Sequence, residues 1–164
     1  MVQAVLFQEV RFEGLEDWPT DAVVMATYSY LDQMEDYSQF VDEHPFLSLF
    51  ITPPTPPLIM KYDCSTGLGQ VYAATAIAAY NWYYGTDYDT GDHDDLREFW
   101  EKLQNDEYNI EMIALVLAYK LSYTGSYDQA MKAYNGSNDD AERYRLVTMK
   151  YYEAFKKYNS SCGE

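Results

Sequence analysis

The chain is poor in basic residues: 11 Lys and Arg stand against 27 Asp and Glu, for a formal net charge of −16 over 164 residues. A nucleic-acid binder needs a basic footprint that displaces counterions from phosphates, and an anionic bilayer attracts basic segments for the same reason. Charge therefore speaks against both partners. Cysteine is scarce as well. Cys64 and Cys162 are able to pair but make no disulfide framework, no Cys-x-x-Cys occurs, and His44 and His93 lie far apart, so zinc has no local signature. No metal and no cofactor is expected. No run approaches the ~20 apolar residues that span a bilayer. Residues 1–12 have no basic start and no small-residue cleavage site, so they do not read as a signal peptide. The chain begins inside an apparent helix; Met1 reads as a domain cut, and the lack of a leader then says little about location. P-loop, Gly-x-Ser-x-Gly, His-Glu-x-x-His and EF-hand patterns are missing too.

What is present fits one ordinary domain. A chain of this length buries roughly 70% of its extended surface, enough for a core without staples. Hydrophobic residues make up 48%, which excludes a disordered chain. The 18 tyrosines stand out. Tyr is a rigid ring with a polar tip, suited to half-wet grooves and flat polar ligands, although most of these rings are expected to fill the core.

Helical periodicity dominates. Val2, Val5, Leu6 and Val10, with Phe12, mark a short first helix that Gly14 ends. Thr20 or Asp21 caps a second helix with Val24, Tyr28, Leu31 and Met34 on its apolar face. The run Thr52-Pro53-Pro54-Thr55-Pro56-Pro57 excludes a helix and reads as a stiff loop. Residues 40–62 have room for short strands. A Gly-punctuated turn, Asp63 to Gln70, precedes an Ala-rich helix over 73–83. Helices follow over 94–104, from Ile110 to a stop before Gly125, and over 127–134. A last helix, capped by Asn138 or Asp139, carries the stripe Tyr144, Val147, Tyr151, Phe155 and Tyr158, with residues 156–164 expected to fray. The class is mostly α.

One acid lies in an apolar setting: Glu9, within Val5-Leu6-Phe7-Gln8-Glu9-Val10-Arg11-Phe12. Desolvation between apolar turns would favour its protonated form and make it a proton donor near neutral pH; an exposed Glu paired with Lys or Arg is the plainer alternative.

Four segments, in order, resemble the soluble lytic transglycosylase and goose-type lysozyme superfamily. They are Gln8-Glu9, similar to the segment with that family's catalytic Glu; Gly67-Leu68-Gly69-Gln70 running into Thr75-Ala76; Asn109-Ile110-Glu111 followed by Ala114 and Leu117; and Ala133-Tyr134-Asn135-Gly136. Tyr144, with Val147 and Tyr151 behind it, fits the family's closing helix. The likeness spans most of the chain. It departs in two places: residues 13–62 form a long insertion after the first helix, and Val10 stands where the family often has Ser. Glu13, Glu16, Glu35 and Glu43 are competing carboxylates.

The resemblance implies a single lysozyme-like domain over 1–164 that cleaves the β-1,4 bond between N-acetylmuramic acid and N-acetylglucosamine in peptidoglycan. It implies Glu9 as general acid and then base, giving a 1,6-anhydro end, with Tyr134 hydrogen-bonded to Glu9. Gly67, Leu68 and Gly69 would let backbone approach the sugar, and Gln70 and Asn135 would bond to it. Tyr62, Tyr72, Tyr83 and Tyr84 are candidate groove rings. A hydrolytic muramidase or chitinase-like enzyme would need a second carboxylate, for which Asp63 is the candidate. A non-catalytic module that binds glycan or protein is the remaining reading. The implied setting is the cell envelope or the extracellular space, in a secreted or phage-delivered protein. Other domains of a larger parent are possible partners.

Overall fold

The computed structural model describes residues 1–12 and 18–161. Among these it is mostly helical: α1 (Val2–Phe12), α2 (Trp18–Glu43), a 3-10 turn at Ser48–Phe50, α3 (Ala73–Tyr84), α4 (His93–Leu103), α5 (Asp106–Thr124), α6 (Tyr127–Asn135) and α7 (Asp139–Ser161). The sheet is a single antiparallel hairpin, β1 (Ser65–Thr66) and β2 (Val71–Tyr72), with Ser65 opposite Tyr72 and Thr66 opposite Val71.

Local chemistry sets most helix ends. The Asp92 side chain accepts from the backbone N–H groups of Asp94 and Asp95, Asn105 from Tyr108, and Ser126 from Gln129, each satisfying donors that a helix start leaves open. Gly85 and Gly125 stop α3 and α5 in the left-handed conformation that favours glycine. The start of α3 is capped from a distance. Asp63 Oδ1 accepts from Ala73 N at 2.8 Å and Oδ2 from Ala74 N at 3.0 Å.

α5 is the hub. It packs against α1, α3, α4, α6 and β2, which is why Met112, Ile113, Val116 and Leu117 are all buried on it. Val5, Ile77, Phe99, Leu103 and Met131 close the core around it. α7 lies across α1 and α6.

The segment after α1 behaves differently. α2 reaches the body through Val24, Thr27 and Tyr28; the Tyr28 hydroxyl donates to the Tyr62 carbonyl at 2.6 Å, and Thr27 Oγ1 accepts from Lys61 N at 2.9 Å. Arg97 on α4 holds Asp32 on α2. Past Glu43 the chain is largely exposed, with Phe50 87% and Leu58 100% accessible.

Several expectations are corrected. Residues 40–62 hold no strand; residues 40–43 finish α2, and the two strands sit at 65–66 and 71–72 instead. α7 does not fray from 156 but continues to Ser161, its late turns packing Phe155 against the core. Cys64 is a free, buried thiol that donates to Asp21 Oδ1 at 3.1 Å. Burial pushes it up to about 12, and the bond to Asp21 adds to that shift. Gly14, Glu13, Glu16 and Cys162 lie outside the described residues.

Candidate active-site groove

On α1 the buried positions are Ala4, Val5 and Gln8. Glu9, four residues after Val5, therefore falls at the edge of the buried face and is half-buried. It opens on a groove of about 510 Å³. The hairpin supplies Ser65, Gln70 and Tyr72 to this groove, α3 supplies Thr75, α5 supplies Lys120, and the end of α6 supplies Ala133, Tyr134, Asn135 and Gly136. Residues from three of the four resembling segments thus meet on one wall.

The fourth segment lies beneath. Asn109 is fully buried and its amide is saturated: Oδ1 accepts from Gly69 N at 2.8 Å, and Nδ2 donates to the carbonyls of Thr66 at 3.1 Å and Leu103 at 3.0 Å. This amide clamps the turn between the two strands. It also explains the glycines. A Cβ on Gly67 would stand 2.1 Å from Asn109 Nδ2, at a φ of +68° besides, and one on Gly69 would stand 2.3 Å from Ile113 Cγ1. Gly67 and Gly69 are there so that the turn can sit on α5; the expectation that they open the backbone to a ligand is corrected. Leu68, between them, is not part of the groove lining.

Gln70 completes the turn with φ of +48°, which is uncommon for a residue with a side chain. Two bonds to one acceptor hold it there: its backbone N–H at 3.0 Å and its Nε2 at 3.2 Å both donate to the Gly67 carbonyl. A strained residue at a groove wall is a common mark of a functional turn.

Tyr134 does not direct its proton to Glu9. Its hydroxyl donates to the Gly69 carbonyl at 2.8 Å, which ties the end of α6 to the hairpin turn. A phenol has one proton, so Tyr134 stands toward Glu9 only as an acceptor. The other phenol that feels the Glu9 charge is Tyr144 on α7. Its ring stacks near-parallel to that of Tyr134 at 6.3 Å between centroids, and it is 7% exposed. The Tyr144 hydroxyl has no partner at normal hydrogen-bond distance and angle. Glu9 nevertheless acts on it as a charge and as a hydrogen-bonding group. Burial first, and the Glu9 charge second, push both phenols well above the usual tyrosine range, so both are neutral O–H groups at any working pH.

Other candidates fall elsewhere. Tyr62 stacks on His93 at 3.7 Å between ring centroids, outside the groove. Asp63 has both oxygens committed to the start of α3 and does not line the groove. The groove has one carboxylate among the described residues, so the second acid assigned to Asp63 is corrected. Tyr83 and Tyr84 line a separate hollow of about 460 Å³ with Tyr80 and Tyr108. Glu35 and Glu43 are exposed on α2, where Glu43 accepts from Gln39. Tyr72, 48% exposed, is the one candidate ring that faces the groove.

Sequence reasoning placed Tyr144 in the stripe of α7 and in the matched closing helix without giving it a role, and placed Lys120 nowhere. The signal for Tyr144 was its match to the closing helix. Lys120 had no signal beyond being basic in an apolar helix. Comparison with known proteins finds no family model, no curated protein and no solved structure that matches the chain.

Proposed function

We propose that the protein is a peptidoglycan-cleaving lytic transglycosylase with a lysozyme-like fold, acting at the β-1,4 bond between N-acetylmuramic acid and N-acetylglucosamine. One observation carries this reading: Glu9, Gln70, Tyr72, Tyr134 and Asn135, which belong to segments far apart in sequence, line one groove. A half-buried acid, an exposed aromatic ring and a set of neutral hydrogen-bonding groups are what a glycan site requires.

In this mechanism the Glu9 carboxyl gives its proton to the glycosidic oxygen as the C1–O bond breaks. The substrate's N-acetyl oxygen bonds to C1 and takes up the positive charge. The Glu9 carboxylate then removes the proton of the muramoyl 6-hydroxyl, whose oxygen displaces the acetamide at C1. The product is a 1,6-anhydro ring, and Glu9 ends protonated as it began. One carboxylate serves both steps, in keeping with the single carboxylate among the described lining residues. That departs from the paired-carboxylate scheme, for which substrate assistance is the known exception. Tyr144 offers its proton to Glu9 when the latter is ionised, and Tyr134 holds the turn on which Gln70 sits.

The test is digestion of purified peptidoglycan by the wild type and by Glu9→Gln, with mass spectrometry of the products. Anhydro ends from the wild type, and none from a variant of unchanged thermal stability, are expected. Reducing ends throughout would replace the proposal by a hydrolase. A wild type inactive on walls from several species would leave a glycan- or protein-binding module. With a net charge of −16, steering toward an anionic wall is unfavourable at low ionic strength, so activity on whole walls is expected to rise with moderate salt.

A further inference from the structure

Lys120 is out of keeping with its surroundings. It lies in the last turns of α5, the helix around which the core packs, and it lines the groove that holds Glu9. It is the only cation among the described lining residues. The ion pairs of the described residues engage Arg97, Lys102, Lys132, Arg143 and Arg145; Lys120 is not among them. Its ammonium instead lies 5.8 Å from the Tyr119 ring centroid and 5.9 Å from that of Tyr123. The two rings hold the charge by a weak attraction and leave its hydrogen-bond donors available. Lys61, Lys150, Lys156 and Lys157 are likewise outside those ion pairs; what sets Lys120 apart is that it lines the groove that Glu9 lines.

We infer that Lys120 makes the groove selective for glycans bearing a carboxylate on the muramoyl 3-substituent. This rests on the glycan reading of the groove and adds to it the charge of the ligand. A neutral strand lying in the groove would strip water from the ammonium and return no charge, whereas a carboxylate returns a charge-assisted bond. The remaining lining groups, Ser65, Gln70, Tyr72, Thr75 and Asn135, serve the neutral parts of the sugar. The carboxylate has two possible sources: the free lactyl group of an unsubstituted muramoyl residue, or an acid in an attached stem peptide.

Binding is measured by calorimetry in the Glu9→Gln background, so that strands stay intact. Three strands of equal length are used: one with stem peptides, one stripped of them to free the lactyl carboxylate, and one stripped and then amidated to neutrality. A preference of about three- to tenfold for a carboxylated strand over the neutral one is expected, the range for a partly exposed charge contact. It is expected to disappear in Lys120→Met, with neutral-strand affinity equal to or above that of the Lys120 protein because the desolvation cost is gone, to survive in Lys120→Arg, and to shrink with salt. Preference for the stripped strand identifies the lactyl source; preference for the stem-bearing strand alone identifies the peptide. Equal binding of all three strands, or a preference that persists in Lys120→Met, overturns the role of Lys120 and leaves the groove a glycan site. No binding of any strand overturns the inference together with the glycan reading.

Discussion

Replacing Asn109 by Ala is the most direct test of how the groove is built. The wild-type amide satisfies three buried backbone groups: the Gly69 N–H and the Thr66 and Leu103 carbonyls. Alanine leaves all three without that partner. A buried donor or acceptor that loses its bond costs about 1–3 kcal/mol, and a carbonyl costs less than an N–H because it has a second lone pair. The expected loss is about 3–5 kcal/mol. For a domain of this size that corresponds to a fall in Tm of about 6–20 °C. The assay is urea unfolding followed by helical circular dichroism, with the m-value checked against the wild type so that midpoint shifts report stability. Asn109→Asp separates the parts. It keeps an acceptor for Gly69 N–H but turns a carboxylate oxygen toward two carbonyls, so it is expected to be less stable at pH 7 than at pH 4, where a protonated carboxyl is able to donate to one of them. A loss below about 1 kcal/mol for Asn109→Ala, or no pH dependence for Asn109→Asp, would refute the claim that this amide clamps the turn.

Other outcomes follow from the same contacts. Tyr144→Phe removes a buried hydroxyl with no partner at normal geometry, so stability is expected to stay level or rise by up to about 1 kcal/mol while turnover falls. Losing a donor to the ionised acid also moves the alkaline limb of the pH–rate profile upward, a shift that a purely structural Tyr144 would not give. Asp63→Ala removes the cap of α3 and is expected to cost about 1–2 kcal/mol in thermal unfolding, with glycan binding by the remaining folded protein unchanged. Glu142 is held down to about 2 by Arg145 and then Lys132, so its contribution to stability is present above the usual value of 4.5 and is lost as pH falls toward 2. Glu142→Gln is expected to show a smaller drop in Tm than the wild type between pH 5 and pH 2.5.

The helices were legible because each is written locally. Leu96, Phe99, Trp100 and Leu103 lie on one face of α4, and all four are buried. Gly125 ends α5 through its own backbone, and the Asn138 side chain accepts from Ala141 N at 2.9 Å at the start of α7. The helix–turn–helix punctuation from Ala73 to Asn138 needed no distant partner to be read. The hairpin was not legible. Two strands of two residues have no periodicity, and their turn is shaped by an amide 40 residues away in sequence.

The same division runs through the groove. Resemblance of short motifs selected Glu9, Gln70, Tyr134 and Asn135, and these do line one cavity. It misassigned Gly67, Gly69 and Asp63, because a glycine in a turn and an acid beside it look alike whether they face a ligand or a helix. It also had the Tyr134 proton on the wrong acceptor, since nothing in Ala133-Tyr134-Asn135-Gly136 reveals that the Gly69 carbonyl lies 2.8 Å from the hydroxyl. By itself the sequence determined the helical class, the helix stops and the excess of negative charge, all of which depend on neighbours within a turn or on a sum over the chain. Only the tertiary structure decided which acid stands alone among the described lining residues, which carbonyl takes the Tyr134 proton and where the one described lining cation lies, because those are distances between residues that the chain keeps far apart.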